Sequence, residues 1–257
     1  MKAKKHLGQH FLTSKKALSD MIKAASVIKD DTVLEIGPGK GVLTTALLET
    51  GAKVIAIETD PDMMEVLNEK FPKEILSKQL TLIEGDILDL NIKNYVTGEY
   101  KLVANIPYYI TGEILRRFLS SDYQPSSITV LVQKEVAERI AKSKKETILS
   151  LSIKAYGKPF YIATVPARYF TPKPKVDSAV LHIANISKDF FTELSEERFF
   201  KLIKAGFSSK RKKLINNLSA FGSKDFLEKT LTSLGLHTGL RAEDIRLEDW
   251  ERLAIEL

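Results

Sequence analysis

The sequence predicts an α/β chain in which a mostly parallel sheet with an antiparallel edge strand packs between helices and a small all-helical domain follows. Three observations predict it. Between about residues 32 and 185, the short apolar runs "TVLEI", "KVIAIE", "LTLIEG", "KLVANI" and "SITVLVQ" alternate with longer stretches of helical period, the pattern of parallel strands covered on both faces. Beyond about residue 190 the β signals stop, and "ERFFKLIKAGF", "KRKKLINNLSAF", "SKDFLEKTLTSLG" and "LEDWERLAIEL" all read as helix. A hydrophobic fraction of 44% over 257 residues is ordinary for a globular chain and supports one large or two modest domains. The texture change divides the chain into 1–187 and 188–257.

The start, "MKAKKHLGQHFLTSKK", is basic but has neither the long apolar stretch nor the small-residue cleavage site of a signal peptide. Without a transmembrane run either, the expected location is the cytosol. "GVLTTALLETG" reads as a helix closed by Gly51, and "DPDMMEVLNEKF" as a helix opened by Asp60 and Pro61. The proline-rich "FTPKPKVD" reads as a loop feeding a last strand, "SAVLHIA", at the antiparallel edge. The chain has no cysteine, which excludes disulfides and thiolate metal sites, and no metal is expected. An excess of 39 Lys+Arg over 33 Asp+Glu, net +6, fits a polyanionic partner.

Chemistry concentrates where strands end. In "VLEIGPGKGVLTTALL" a strand delivers Gly37, Gly39 and Gly41 to a helix, and glycine permits a tight turn with close backbone approach to a ligand. The spacing G-x-G-x-G differs from that of dinucleotide binders, and the Walker lysine pattern is absent. Glu58 ends the next strand, where doubly wound folds place an acid on ribose hydroxyls, and Asp86 follows the third, positioned to meet an adenine edge. Singly, each acid reads equally as a helix cap or a loop carboxylate. Jointly they fit an adenosine-bearing cofactor without a pyrophosphate. "NIPYYITG" then halts a strand, since proline has no N–H to donate. An ordinary turn with a half-buried tyrosine remains the alternative for that segment alone.

"EIGPGKG", Glu58 and Asp86 resemble the S-adenosylmethionine motifs of Rossmann-like class I methyltransferases, and "NIPY" resembles the signature of adenine amino-group methylases. With "GQHFL", "VQKEVAERI", "FTPKPKVDSAV", "FSSKRKKLINNL" and "RAEDIRLEDWERLA", the chain resembles the small-subunit ribosomal RNA adenine dimethyltransferase family from about residue 5 to 253. The resemblance implies S-adenosylmethionine as methyl donor, held by His10, Leu12, Gly37, Gly39, Glu58, Asp86 and Asn105. It implies that the Asn105 side-chain oxygen and the Pro107 carbonyl accept the two amino hydrogens of adenine, which returns the nitrogen lone pair to a nucleophilic state. Tyr108 would stack on the base, a contact worth roughly 1–3 kcal/mol. Two positions depart from the family pattern: His10 stands where many members have asparagine, and "YYIT" where Tyr-Asn-Ile-Ser is frequent.

The implied substrate is a pair of adjacent adenosines in the 3′-terminal hairpin of 16S rRNA, within the small ribosomal subunit or its precursor, each dimethylated; a monomer is expected because no large apolar surface pattern is evident. A hairpin loop suits this chemistry because its bases unstack cheaply. Expected RNA contacts are Lys4 and Lys5 on the N-terminal arm, Arg116 and Arg117 after the "NIPY" turn, and Lys210, Arg211, Lys212 and Lys213 early in a C-terminal helix. Two alternatives stay open on the sequence: a large-subunit rRNA or DNA adenine methylase, and a ribosome-assembly binding factor in which methylation is secondary.

Overall fold

The computed structural model describes residues 8–257. In chain order the elements are β1 (Phe11–Leu12), α1 (Lys15–Ala24), β2 (Thr32–Ile36), α2 (Val42–Leu48), β3 (Lys53–Glu58), α3 (Pro61–Lys70), α4 (Pro72–Leu76) and β4 (Leu80–Glu84). There follow β5 (Lys101–Ala104), α5 (Thr111–Ser120), β6 (Ser127–Gln133), α6 (Lys134–Ala141), α7 (Ile148–Tyr156), β7 (Lys158–Val165), β8 (Phe170–Thr171) and β9 (Ser178–Ala184). Helices α8 (Glu196–Gly206), α9 (Leu214–Asn217), α10 (Lys224–Ser233) and α11 (Leu247–Glu256) complete the chain. None of the described helices is long and apolar enough to cross a membrane.

The chain forms two compact units, the first running to Ala137 and resuming over Lys158–Ile186. Its sheet has the order β4-β3-β2-β5-β6-β9-β7. The first five strands are parallel, β9 is antiparallel to β6, and β7 is antiparallel to β9. The central strands β2, β5 and β6 are mostly apolar and buried because both sheet faces are covered. Helix α3 starts where Asp60 accepts the Asp62 N–H at 3.1 Å, with Pro61 at the first helical position. Strand order reverses between β2 and β5, so a crevice opens beyond their carboxyl ends, where such folds bind ligands.

"SAVLHIA" is antiparallel, as its sequence suggests, but it lies inside the sheet. The edge is β7, "KPFYIATV", whose alternation of exposed and half-buried residues is that of a strand wetted on one side. β1 pairs with β8, Phe11 opposite Thr171 and Leu12 opposite Phe170, which fastens the segment before α1 to this unit.

The second unit comprises Glu138–Gly157 and Ser187–Leu257. Residues 138–157, assigned by texture to the first domain, therefore pack with the helical unit instead. The cause is α7: Leu151 and Ala155 are buried in one cluster with Phe199, Leu202, Leu227, Trp250 and Leu253. Polar contacts reinforce it, for the Glu146 N–H donates to the Glu243 carbonyl at 2.7 Å and the buried Glu146 carboxylate takes Ser150 Oγ at 2.7 Å and Lys154 Nζ at 2.5 Å. The basic run also differs from expectation. Lys210–Lys212 form a turn and Lys213 is extended, φ −62° and ψ 147°, so the helix begins only at Leu214. All four side chains of the run are exposed to water.

Candidate active site

A cavity of about 460 Å³ lies in the first unit, lined at one side by the turn after β2 and at the other by the "NIPYYI" segment after β5. The strand ends build it. After β2 the backbone takes positive φ at Gly37, Gly39 and Gly41, 65°, 54° and 68°, values costly for any residue bearing a Cβ. A Cβ on Gly39 would stand 2.9 Å from Phe11 Cε1, so this glycine is also needed for space.

Glu58, at the end of β3, is buried at 6% exposure. Its carboxylate accepts three backbone N–H groups, from Gly39, Thr59 and Asp60, each at 2.9 Å, and thereby ties the glycine turn to the neighbouring strand. Burial raises its pKa, against which the Asp60, Gly39 and Thr59 amides hold the charged form. Gln9 Nε2 donates to Asp60 Oδ2 at 2.8 Å and brings the N-terminal segment over the same turn. Asp86 Oδ1 accepts the Leu88 N–H at 2.9 Å while lining the cavity.

On the far side, Asn105 Nδ2 donates to the His10 carbonyl at 3.1 Å, which assigns Oδ1 to the opposite side of the amide. The Pro107 carbonyl closes a turn over Tyr108–Ile110, receiving the Ile110 N–H at 3.3 Å and the Thr111 hydroxyl at 3.4 Å. Both bonds are long. Tyr108 exchanges a 2.6 Å hydrogen bond with Ser178 Oγ, and its ring lies 6.0 Å from the His10 ring at 24°. His10 Nδ1 is 2.7 Å from the Pro172 carbonyl oxygen.

His10, Leu12, Gly37, Gly39, Glu58, Asp86, Asn105, Pro107 and Tyr108 thus all border one cavity. The expected RNA contacts among the described residues do not. Lys4 and Lys5 lie outside the described residues. Arg117 is turned inward, its guanidinium donating to the Leu88 and Leu90 carbonyls, so it braces the loop after β4 and is withdrawn as an RNA contact. Arg116 is exposed on α5, and Lys210, Arg211, Lys212 and Lys213 are exposed in the second unit.

Sequence reasoning quoted Glu35 within "EIGPGKG" but gave it no role. It is 1% exposed, lines the cavity, and its Oε2 is buried without a hydrogen-bond partner. Burial pushes its carboxyl up to about 8, and the Glu58 charge adds to this; Thr44 and Lys70 act in the other direction. Thr44 is close enough to favour the charged form, yet its Oγ1 also completes no hydrogen bond of good geometry. Such an oxygen suits a cationic group in the cavity. The glycine turn, the acids after β3 and β4 and this carboxyl together fit an adenosine carrying a positively charged tail. Among the described residues no cluster of His, Cys, Asp or Glu could hold a metal.

A family model described as "Ribosomal RNA adenine dimethylase" matches residues 1–257. The chain belongs to that family. It is therefore an rRNA adenine dimethyltransferase that uses S-adenosylmethionine. It is 42% identical to ribosomal RNA small subunit methyltransferase A of Dehalococcoides mccartyi over 100% of this chain and 89% of that protein. To the protein of the same name from Fusobacterium nucleatum it is 39% identical, with 98% and 96% covered. Among solved structures it resembles the 23S rRNA methyltransferase ErmE, at 25% identity with a TM-score of 0.78 over 96% of this chain and 99% of the other. A dimethyladenosine transferase from Plasmodium falciparum superposes with a TM-score of 0.79 at 25% identity, over 95% and 96%.

Proposed function

We propose that this dimethylase acts on the small-subunit rRNA, converting two adjacent adenosines of its 3′-terminal hairpin to dimethyladenosine, as a monomer and in the cytoplasm where subunits mature. The observation that carries the reading is the meeting, in one cavity, of the Asn105–Pro107–Tyr108 segment with the glycine turn, Glu58 and Asp86. Full-length similarity to proteins named for the small subunit supports the target.

When bound, S-adenosylmethionine supplies a methyl group already activated for transfer. In this reading Glu58 and Asp86 hold the donor's adenosine, the glycine turn lets its backbone approach, and His10, Leu12 and Glu35 flank its charged end. The base enters from the Tyr108 side. Asn105 Oδ1 accepts one amino hydrogen of adenine and the Pro107 carbonyl, whose intramolecular bonds are long, accepts the other. Both acceptors draw the nitrogen lone pair out of the ring and orient it, so the chain contributes alignment and no strong base. The displaced amino proton passes to water.

The test is transfer of labelled methyl groups to small subunits that lack adenine dimethylation, beside large-subunit RNA and duplex DNA, with the labelled nucleoside identified. Label in dimethyladenosine of the small-subunit RNA alone is the expected result. Asn105→Ala should lose on the order of a hundredfold in turnover, as other positioned hydrogen-bonding groups do, while still binding the subunit. Undiminished transfer by that variant would remove Asn105 from the chemistry.

A further inference from the structure

We propose that Tyr109 and Arg116 form a subsite for the nucleotide next to the target adenosine, its base stacking on Tyr109 at the cavity mouth and its phosphate meeting Arg116. The inference rests on the adenine-binding reading of the adjoining cavity. Tyr108 and Tyr109 are consecutive, border the same cavity and have opposite surroundings. Tyr108 is half-buried and hydrogen-bonded, whereas Tyr109 is 68% exposed. An aromatic ring left that open gains little from folding, although its position is fixed from behind. The turn closed by the Ile110 N–H sets its backbone, and bare Gly8 lies against the ring, where a Cβ would come within 3.1 Å of Tyr109 Cε1.

The surface beyond Tyr109 continues the pattern. Ile114, Leu115, Phe118 and Leu119 are the buried side of α5, and Gly112, Glu113 and Arg116 are exposed. Gly112 leaves open space, since a Cβ there would meet nothing within 4 Å. Glu113 borders the cavity, and its charge disfavours a phosphate at the mouth. Arg116 follows about one helical turn on and offers the opposite charge. An aromatic plate, a gap and a cation in this order match one nucleotide of single-stranded RNA, for which stacking tolerates any base and the cation takes the phosphate. A substrate with two adjacent target adenosines presents a second purine to this plate while the one on the proper side of it is in the pocket, and because stacking tolerates any base the plate takes the next nucleotide when the other is methylated.

The experiment uses two hairpin RNAs, each with 2-aminopurine at one of the two target positions and adenosine at the other, of which the one that puts the probe on the Tyr109 side is read. That analogue lacks the 6-amino group and is left to the outer subsite. Quenching of its fluorescence on binding is expected with the wild-type protein and with Tyr109→Phe. Tyr109→Ala should abolish the quenching and raise KM for the unmodified RNA about tenfold with kcat retained, the scale of one lost stack. Arg116→Gln should keep the quenching and flatten the salt dependence of binding by about 0.7 in log–log slope. Quenching and KM unchanged in Tyr109→Ala would overturn the subsite. Failure of the underlying reading shows separately, as wild-type protein that quenches the probe but transfers no methyl group to adenine.

Discussion

Glu35 is the residue whose physics most exceeds its motif. An acid with a higher pKa folded than unfolded binds its proton more tightly in the native state, so stability falls as pH rises from the ordinary 4.5 through about 8. Below that window the carboxyl is neutral in both states and nothing is lost. Glu35→Gln should therefore melt with the wild type at about pH 4 and above it at about pH 9, by on the order of a few kcal/mol for a fully buried group. Thermal denaturation of the ligand-free protein at the two pH values checks this, and a difference independent of pH would refute the buried charge as its cause. The sequence made the residues around Glu35 legible because their chemistry is local: Gly37 and Gly39 answer to backbone angles, and Glu58, Asp86 and Asn105 to their place at strand ends. Glu35 and Tyr109 were quoted within motifs without a role of their own for a physical reason. One matters through complete burial and the other through exposure, and neither follows from neighbours in sequence.

At the scale of elements, the same distinction separates what the periodicity showed from what it hid. Strands β2, β3 and β6 are predominantly apolar and buried, and α3 announces itself through Asp60 and Pro61. Strand β7 hid because an edge position wets one of its sides and puts a proline second, and α9 is shorter than its pattern because the basic run before Leu214 lies outside it. Packing inside the helical unit is tighter than its pattern suggests. Helix α8 ends at Gly206, and a Cβ there would overlap Cη2 of the fully buried Trp250 on α11. Alanine is favoured over glycine in a helix by about 1 kcal/mol, but overpacking against an indole that cannot retreat costs about 1–3 kcal/mol. Gly206→Ala is thus expected to lower the denaturation midpoint of the helical unit. Because Trp250 is the one tryptophan of the chain, its fluorescence in a urea titration reports the change directly; a midpoint raised by the helical preference would show that the packing relaxes.

For the whole molecule, charge is the property that composition alone conveys: net +6, without saying where it acts. The boundary between units was less legible, because the chain leaves the first unit at 138, forms α7 in the helical unit and returns as β7, a detour no change in composition marks. The exposed run Lys210–Lys213 belongs to that helical unit and is separated in sequence from the cavity-lining residues. Its expected role is electrostatic: each cation that neutralises a phosphate releases counterions, adding about 0.7–0.9 to the log–log slope of affinity against salt. Replacing Lys210, Arg211, Lys212 and Lys213 together with glutamine should then weaken subunit binding at low salt and reduce the slope by about 3. All four side chains are exposed, so the melting temperature should hold, which separates lost docking from lost folding. Parallel salt dependences for variant and wild type would make the run a solvated turn and leave docking to other surfaces. If instead affinity falls while turnover at saturating subunit is kept, the helical unit supplies attraction and the cavity of the first unit supplies the chemistry.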